Sequence, residues 1–309
     1  MSASQDLVAA ANSAAITHRR GYTPTDTLFL GWLLANTAVL LAQARDVEWW
    51  PLLLLINVMA AALVPLLARA PREGVARFVG GSYPLLLTAA YYPQLGIINT
   101  GVGRVHDATV QAWDLALFGS QVSVTWHQAM PNLALSELLH FSYGSFYWIV
   151  VFAPVFLFFR KSHESFERGT FVMTLVLYAC YLCFALFPVA GPRYFFGVAE
   201  GPEAQGLIAR TVHAILEGGS AWGTAFPSSH VAAAWAAVFV LWRDARRTAL
   251  VLIPVSLGVP FGTVYGQFHY GVDALAGVMV AVLLCALADP LRNALRRKPP
   301  RMVDARGLR

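Results

Sequence analysis

The chain is predicted to be an all-α, polytopic integral membrane protein with about eight transmembrane helices and both termini in the cytoplasm. Three observations carry this reading. The first is composition: 57% of the 309 residues are hydrophobic, 13% are charged, and the mean hydropathy is +0.56. Soluble domains carry about 25% charged residues. The second is a series of apolar runs long enough to cross a bilayer, which takes about 17–25 residues each. The third is the way the basic residues sort between those runs.

The runs fall near 27–43, 50–68, 78–98, 137–159, 169–188, 226–242, 247–265 and 269–288. The first follows His18-Arg19-Arg20 and a largely polar segment without the apolar core of a signal peptide, so it is expected to serve as its own anchor. Gly80, Gly81, Pro84 and Pro93 interrupt the third, which stays a span because neighbouring helices can re-satisfy the freed backbone groups. The fourth and fifth are separated by Arg160 and Lys161, and the sixth and seventh by Arg243, Arg246 and Arg247. With eight spans, alternate connections and the tail collect 18 of the 22 basic residues on one side, leaving only Arg45, Arg104, Arg193 and Arg210 on the other. Seven or nine spans would scramble that sorting, and the positive-inside rule makes the rich side cytoplasmic. The division is a cytoplasmic segment 1–26, a transmembrane domain 27–289, and a basic cytoplasmic tail 290–309 that could also rest on anionic lipid.

The formal charge of +5 therefore reports topology, and no nucleic-acid partner is expected. Cys180, Cys183 and Cys285 all fall inside spans; the "CYLC" spacing lacks a redox-domain context there and reads as packing. No internal repeat, low-complexity segment or linker appears, and nothing fixes an oligomeric state.

Three polar clusters sit at outward-facing helix ends. In "GTAFPSSHVAAAWAAVFVLW" (223–242), Pro227 is expected at the first helical position, leaving the N–H groups of Ser228, Ser229 and His230 free to bind an anion. In "YGQFHYGVDALAG" (265–277), His269 and Asp273 are four residues apart and share a helical face. A carboxylate at that depth wants a partner, and it would aim the other imidazole nitrogen outward as a base or nucleophile. In "FPVAGPRYFF" (187–196), Arg193 suits bidentate grip on a phosphate. Each piece has an ordinary reading too: a helix cap, a helix-locking pair, a snorkelling arginine. Their coincidence on one face distinguishes them.

"FPSSH" followed by "HYGVD", with "GPRY" upstream, resembles the motifs of the type-2 phosphatidic acid phosphatase superfamily, whose core would span about 137–289. The pattern departs from that family's phosphatase branch. Leu186 stands in place of the first-motif lysine, Tyr194 follows the arginine in place of proline, Ser229 replaces a glycine, and Gly262-Thr263 replaces Ser-Arg. It is closer to the branch of inositol phosphorylceramide synthase and sphingomyelin synthase, whose upstream region is similar to "HDATVQAWDLALFG" (106–119). In that segment Val110, Trp113 and Leu117 share one face and Asp107, Gln111 and Asp114 another, as in an interfacial helix.

The resemblance implies a lipid phosphotransferase or phosphatase acting on a phospholipid or lipid phosphate. The phospho-head group, of a phosphoinositol-like kind, would pass to an alcohol or to water through a phosphohistidine. His269 would be the nucleophile, Asp273 its orienting partner and His230 the acid and base. Arg193, Ser228 and Ser229 would hold phosphate oxygens, and Tyr194, His106, Asp107 and Tyr270 would line the substrate path. No metal or other cofactor is implied. The alternative within the family is a lipid phosphate monoesterase. More distant readings are an intramembrane serine hydrolase, which lacks a nucleophile elbow; a transporter, which lacks a polar trail to the other side; and a zinc site, which lacks a distinctive ligand spacing. The site would face outward from a cell or inner membrane, or into a lumen in a eukaryote. On this topology a cysteine at position 219 is expected to react with an impermeant maleimide in intact cells, and one at position 246 only after permeabilisation; the opposite pattern would invert the membrane sidedness.

Overall fold

The computed structural model describes residues 20–71, 73–198 and 201–296. Arg19, Arg72 and the tail from Arg297 onward lie outside the described residues. Fourteen α-helices follow one another among those described: α1 (Pro24–Ala42), α2 (Trp50–Ala68), α3 (Gly74–Leu86), α4 (Thr88–Val102), α5 (Asp107–Phe118), α6 (Val122–Ala129), α7 (Leu133–Gly144), α8 (Phe146–Arg160), α9 (His163–Leu186), the single turn α10 (Arg193–Phe196), α11 (Leu207–Gly219), α12 (Ser229–Asp244), α13 (Arg246–Tyr265) and α14 (Gly271–Leu295). There is no strand among the described residues; Val189 and Thr224 form an isolated parallel β-bridge.

Among the described residues, six stretches are long and apolar enough to cross a membrane: α1, α2, the nearly continuous α7–α8 run, α9, α13 and α14. The two remaining expected spans are helical but depart in form. The third divides at Leu87 into α3 and α4, with Pro84 in the last turn of α3. The carbonyls of Pro84 and Thr88 at the break accept hydrogen bonds from the hydroxyls of Tyr178 (2.6 Å) and Tyr181 (3.2 Å) on α9, which is how a broken helix is tolerated away from water. The sixth, α12, is only 16 residues long.

Local sequence fixes where helices start. Thr23 and Asp26 form a capping box around Pro24 at the head of α1. Asn132 and Ser162 accept from the backbone N–H groups of Leu135 and Ser165 to begin α7 and α9.

The centre of the bundle is α12, packed against α8, α9, α13 and α14. Its Ala232, Ala233, Ala234, Ala236 and Ala237 are wholly buried, and such small side chains let helix backbones approach without a hydrophobic drive between them. Gly258 and Gly262 do the same for α13: a Cβ at the first would strike the Ser142 side chain, and at the second the Leu139 carbonyl of α7. Ion pairs gather at the far end of the bundle from the start of α12, with Arg168 on Asp244, Arg243 on Asp289, and Arg292 on Glu164 and Glu167.

The closest approach near the start of α12 is at Gly277 of α14, where a Cβ would lie 2.5 Å from the Ser228 carbonyl and 3.0 Å from the Val231 Cβ. Gly277→Ala must therefore push α12 away from α14. The expected cost is about 1–3 kcal/mol of stability, seen as a lowered unfolding midpoint in detergent, whereas Gly218→Ala, whose Cβ meets nothing within 4 Å, should leave the midpoint unchanged.

Candidate active site

Four segments converge where α12 and α14 begin. The stretch before α12 departs from the sequence expectation. Pro227 lies two residues ahead of the helix, and Ser228 is the N-cap, its Oγ 3.4 Å from the Val231 N–H. The Ser228 N–H is not free either: it donates to the Asp273 carbonyl at 2.9 Å. The hydroxyl of Ser228 is used in capping because Ser adopts the extended N-cap conformation that Pro227 leads into. The N–H groups of Ser229 and His230 remain, at positions where a helix has no carbonyl to offer them.

The segment 266–270 is a tight return. Thr263 has its hydroxyl on the Pro260 carbonyl (2.8 Å), and its own carbonyl accepts from the N–H groups of both Phe268 and His269. The Asp273 Oδ2 accepts from the Tyr270 N–H at 2.9 Å, capping α14, and stands 3.5 Å from the His269 Nδ1. That separation is at the limit of hydrogen-bond range. The other nitrogen, His269 Nε2, is 3.5 Å from the His230 Nδ1, and the His230 Nε2 is 3.2 Å from the hydroxyl of Tyr143. Asp273, His269, His230 and Tyr143 thus form one continuous row. Asp273 is wholly buried and His269 is 4% exposed. Phe146 and Tyr143 flank the His230 ring, at 4.5 and 5.0 Å between centroids.

Arg193 opens α10. It lines one pocket together with His269, Tyr143, Tyr92, Phe268, Thr224 and Ser220. Its guanidinium lies over the Tyr194 ring at 5.1 Å and has no hydrogen-bond or ion-pair partner among the described residues. The pocket holds about 20 Å³, room for a single water. A larger cavity of about 680 Å³ adjoins it through Ser220 and Ala221, walled by Tyr194, Trp222, Trp49, Asp46 and Glu48. The turn that sets Arg193 in place needs the positive φ of Gly191, +105°.

Asp107 and Tyr270 brace the backbone around the site. Asp107 is 1% exposed; its carboxylate accepts from the N–H groups of Ala190 and Gly191 (2.8 Å each) and from the Tyr270 hydroxyl (2.9 Å). Gln111 donates to the same hydroxyl at 2.9 Å. His106 stacks on Phe187 at 4.2 Å and donates its backbone N–H to the Pro188 carbonyl. Tyr194 is 41% exposed, packs edge-on against Trp222, and faces the larger cavity. None of these four lines the pocket shared by His269 and Arg193.

Two further residues were not singled out from sequence as site members. Asp114 accepts from the N–H groups of Gly271 (3.3 Å) and Val272 (2.8 Å) at the head of α14, and burial pushes its carboxyl above the usual range against the lowering effect of those bonds. Tyr143 belongs to a Tyr-Gly-Ser interruption of an apolar run, the kind of polar intrusion into a span that marks function. Beside Phe268, burial holds the pKa of His213 on α11 down to about 4, helped by the nearby His140 imidazole and the Arg193 guanidinium.

The family model described as the PAP2 superfamily matches residues 109–287, more than half of the chain, and the protein belongs to that superfamily. It is an integral membrane protein of a family of phosphatases and phosphotransferases that act on lipid phosphates. No curated protein and no solved structure matches the chain.

Removing the Asp107 carboxylate would leave the backbone N–H groups of Ala190 and Gly191 buried without an acceptor, at about 1–3 kcal/mol per group, and the Tyr270 hydroxyl with Gln111 alone. Asp107→Ala is therefore expected to lower both the unfolding midpoint and the activity by displacing the turn that carries Arg193. Tyr194→Phe, with its exposed ring, should change neither stability nor fold.

Proposed function

We propose that this protein transfers a phospho-head group from a phospholipid diester to an alcohol, through a phosphohistidine on His269, as in the inositol phosphorylceramide and sphingomyelin synthase branch. The observation that carries the reading is the charge inventory of the pocket: Arg193 is the one arginine or lysine lining it. At the two positions where the phosphatase pattern has further cations, Leu186 is 63% exposed and apolar, and Thr263 is buried and spent on shaping the return that holds His269. A diester carries one negative charge, a monoester close to two, so a single guanidinium is matched to the diester.

In the first step the His269 Nε2 attacks phosphorus and the bond to the lipid alkoxide breaks; His230 supplies the proton that the alkoxide takes. In the second, the acceptor hydroxyl gives its proton to His230, its oxygen attacks phosphorus, and the N–P bond breaks. Asp273 keeps a proton on the His269 Nδ1 and offsets the charge on the ring. The N–H groups of Ser229 and His230, with Arg193, hold the non-bridging oxygens. Ser228 serves as the cap that exposes those groups. The same reading keeps eight spans with both termini cytoplasmic, the division at 26 and 289, and the site on the outer face.

The test is to give purified protein a labelled diester phospholipid with an added lipid alcohol or ceramide, and separately labelled phosphatidic acid. Head-group transfer from the diester should dominate, and rapid phosphate release from phosphatidic acid without transfer would make the protein a monoesterase. His269→Ala should abolish both turnover and the acid-labile phosphoenzyme; activity like that of the wild type would end the covalent scheme.

A further inference from the structure

We infer that Tyr143 fixes which nitrogen of His230 takes part in proton transfer. The inference rests on the reaction proposed above. The hydroxyl of Tyr143 is 3.2 Å from the His230 Nε2, while the His230 Nδ1 faces the His269 Nε2 at 3.5 Å. Of the two ring nitrogens, only Nδ1 is therefore on the side where phosphorus becomes attached.

An acid that later serves as a base must lose and regain its proton at the same atom. For His230 that atom is Nδ1, and the proton on Nε2 has to stay in place throughout. A neutral imidazole carries one N–H, and the hydrogen bond made by one nitrogen sets which tautomer is present. When His230 carries both protons the Tyr143 oxygen can only accept from Nε2–H, and keeping that bond after Nδ1 has lost its proton favours the tautomer whose Nδ1 lone pair is free to receive the acceptor's proton. Asp273 does the equivalent for His269 by standing at its Nδ1. The two histidines are thus oriented from opposite ends of one row, and their working nitrogens, Nδ1 of one and Nε2 of the other, face each other.

Tyr143 is well placed to hold this geometry. It is 1% exposed, its ring lies 4.5 Å from Phe268, and Gly262 of α13 packs against its Cβ. Phe146 packs on the His230 ring without a polar atom. Tyr143 therefore acts through His230, as a positioning residue.

The experiment uses a p-nitrophenyl phosphodiester as donor with an alcohol acceptor, because p-nitrophenolate leaves without needing a proton. A burst of p-nitrophenol reports attack by His269, and the steady rate that follows reports transfer to the acceptor, which needs His230 as base. Tyr143→Phe keeps the ring and removes the hydroxyl. The expected result is an unchanged burst rate, a steady rate lowered by about tenfold or more, an unchanged KM and an unchanged unfolding midpoint. Phe146→Leu loosens the His230 ring without touching the hydrogen bond, and should leave the burst unchanged while lowering the steady rate less than Tyr143→Phe does. Should Tyr143→Phe fail to accumulate, 3-fluorotyrosine placed at position 143 retains the shape, weakens the oxygen as an acceptor, and should give the same split at smaller size. A burst slowed as much as the steady rate, or a steady rate equal to that of the wild type, would overturn the inference. His230→Ala and His269→Ala separate this from failure of the reaction itself. If the first keeps the burst and the second loses it, the phosphohistidine scheme stands whatever Tyr143→Phe does. If His269→Ala keeps the burst, that scheme falls and the role of Tyr143 falls with it.

Discussion

The starts of α12 and α14 are held against each other by the bond from the Ser228 N–H to the Asp273 carbonyl and by the bare Gly277 beneath Ser228. Two helix N-termini, each equivalent to roughly half a positive charge, are thereby brought side by side. Such a junction needs negative charge close by, and the chain supplies it unevenly. At the head of α14, Asp114 accepts from two N–H groups and Asp273 from a third, so that end is already satisfied. At the head of α12 there is only the neutral hydroxyl of Ser228, and the N–H groups of Ser229 and His230 stay open. The asymmetry leaves one helix end with open N–H groups and uses the other to hold His269 in position.

The junction depends on residues distant in sequence. From α5, Asp107 holds the 190–191 turn and Tyr270, Gln111 holds the same Tyr270, and Asp114 holds the first turn of α14. Three polar side chains on one face of a short helix therefore fix the stretches that present Arg193 and His269. A second tie is the bridge from Val189 to the strip ahead of α12, where the Val189 carbonyl accepts from the Ala225 N–H at 2.8 Å. Arg193 and the α12 N-terminus consequently share one rigid frame.

Much of this could be read from the sequence because it is local. The i,i+4 spacing of His269 and Asp273 puts them on one face whatever surrounds them, and apolar length alone places α1, α2, α9, α13 and α14. The polar face of the 106–119 segment was visible as well, although its purpose was not. What could not be read depends on contacts between segments. That the Ser228 N–H is consumed by Asp273, or that Asp107 is a brace, follows only once α5, α12 and α14 meet. The division of the third expected span at Leu87 was announced by Pro84, but its tolerance rests on Tyr178 and Tyr181, some ninety residues further on. Pro227 was misplaced because proline is favoured both inside the first turn and just ahead of a cap, and only the geometry of Ser228 separates the two.

The shortness of α12 sets a depth. Its two ends are rungs shared with α14: Ser228 meets Asp273 at one, and Arg243 meets Asp289 at the other. At 1.5 Å of rise per residue these rungs lie roughly 23 Å apart, against about 30 Å for the hydrocarbon core of a bilayer. With the charged rung at one membrane surface, the histidines sit some 7 Å short of the opposite one. A lipid phosphate would have to sink toward such a site rather than rise to it, its acyl chains never leaving the oil. Membrane thickness then becomes a variable of the reaction, since a thinner leaflet shortens the descent.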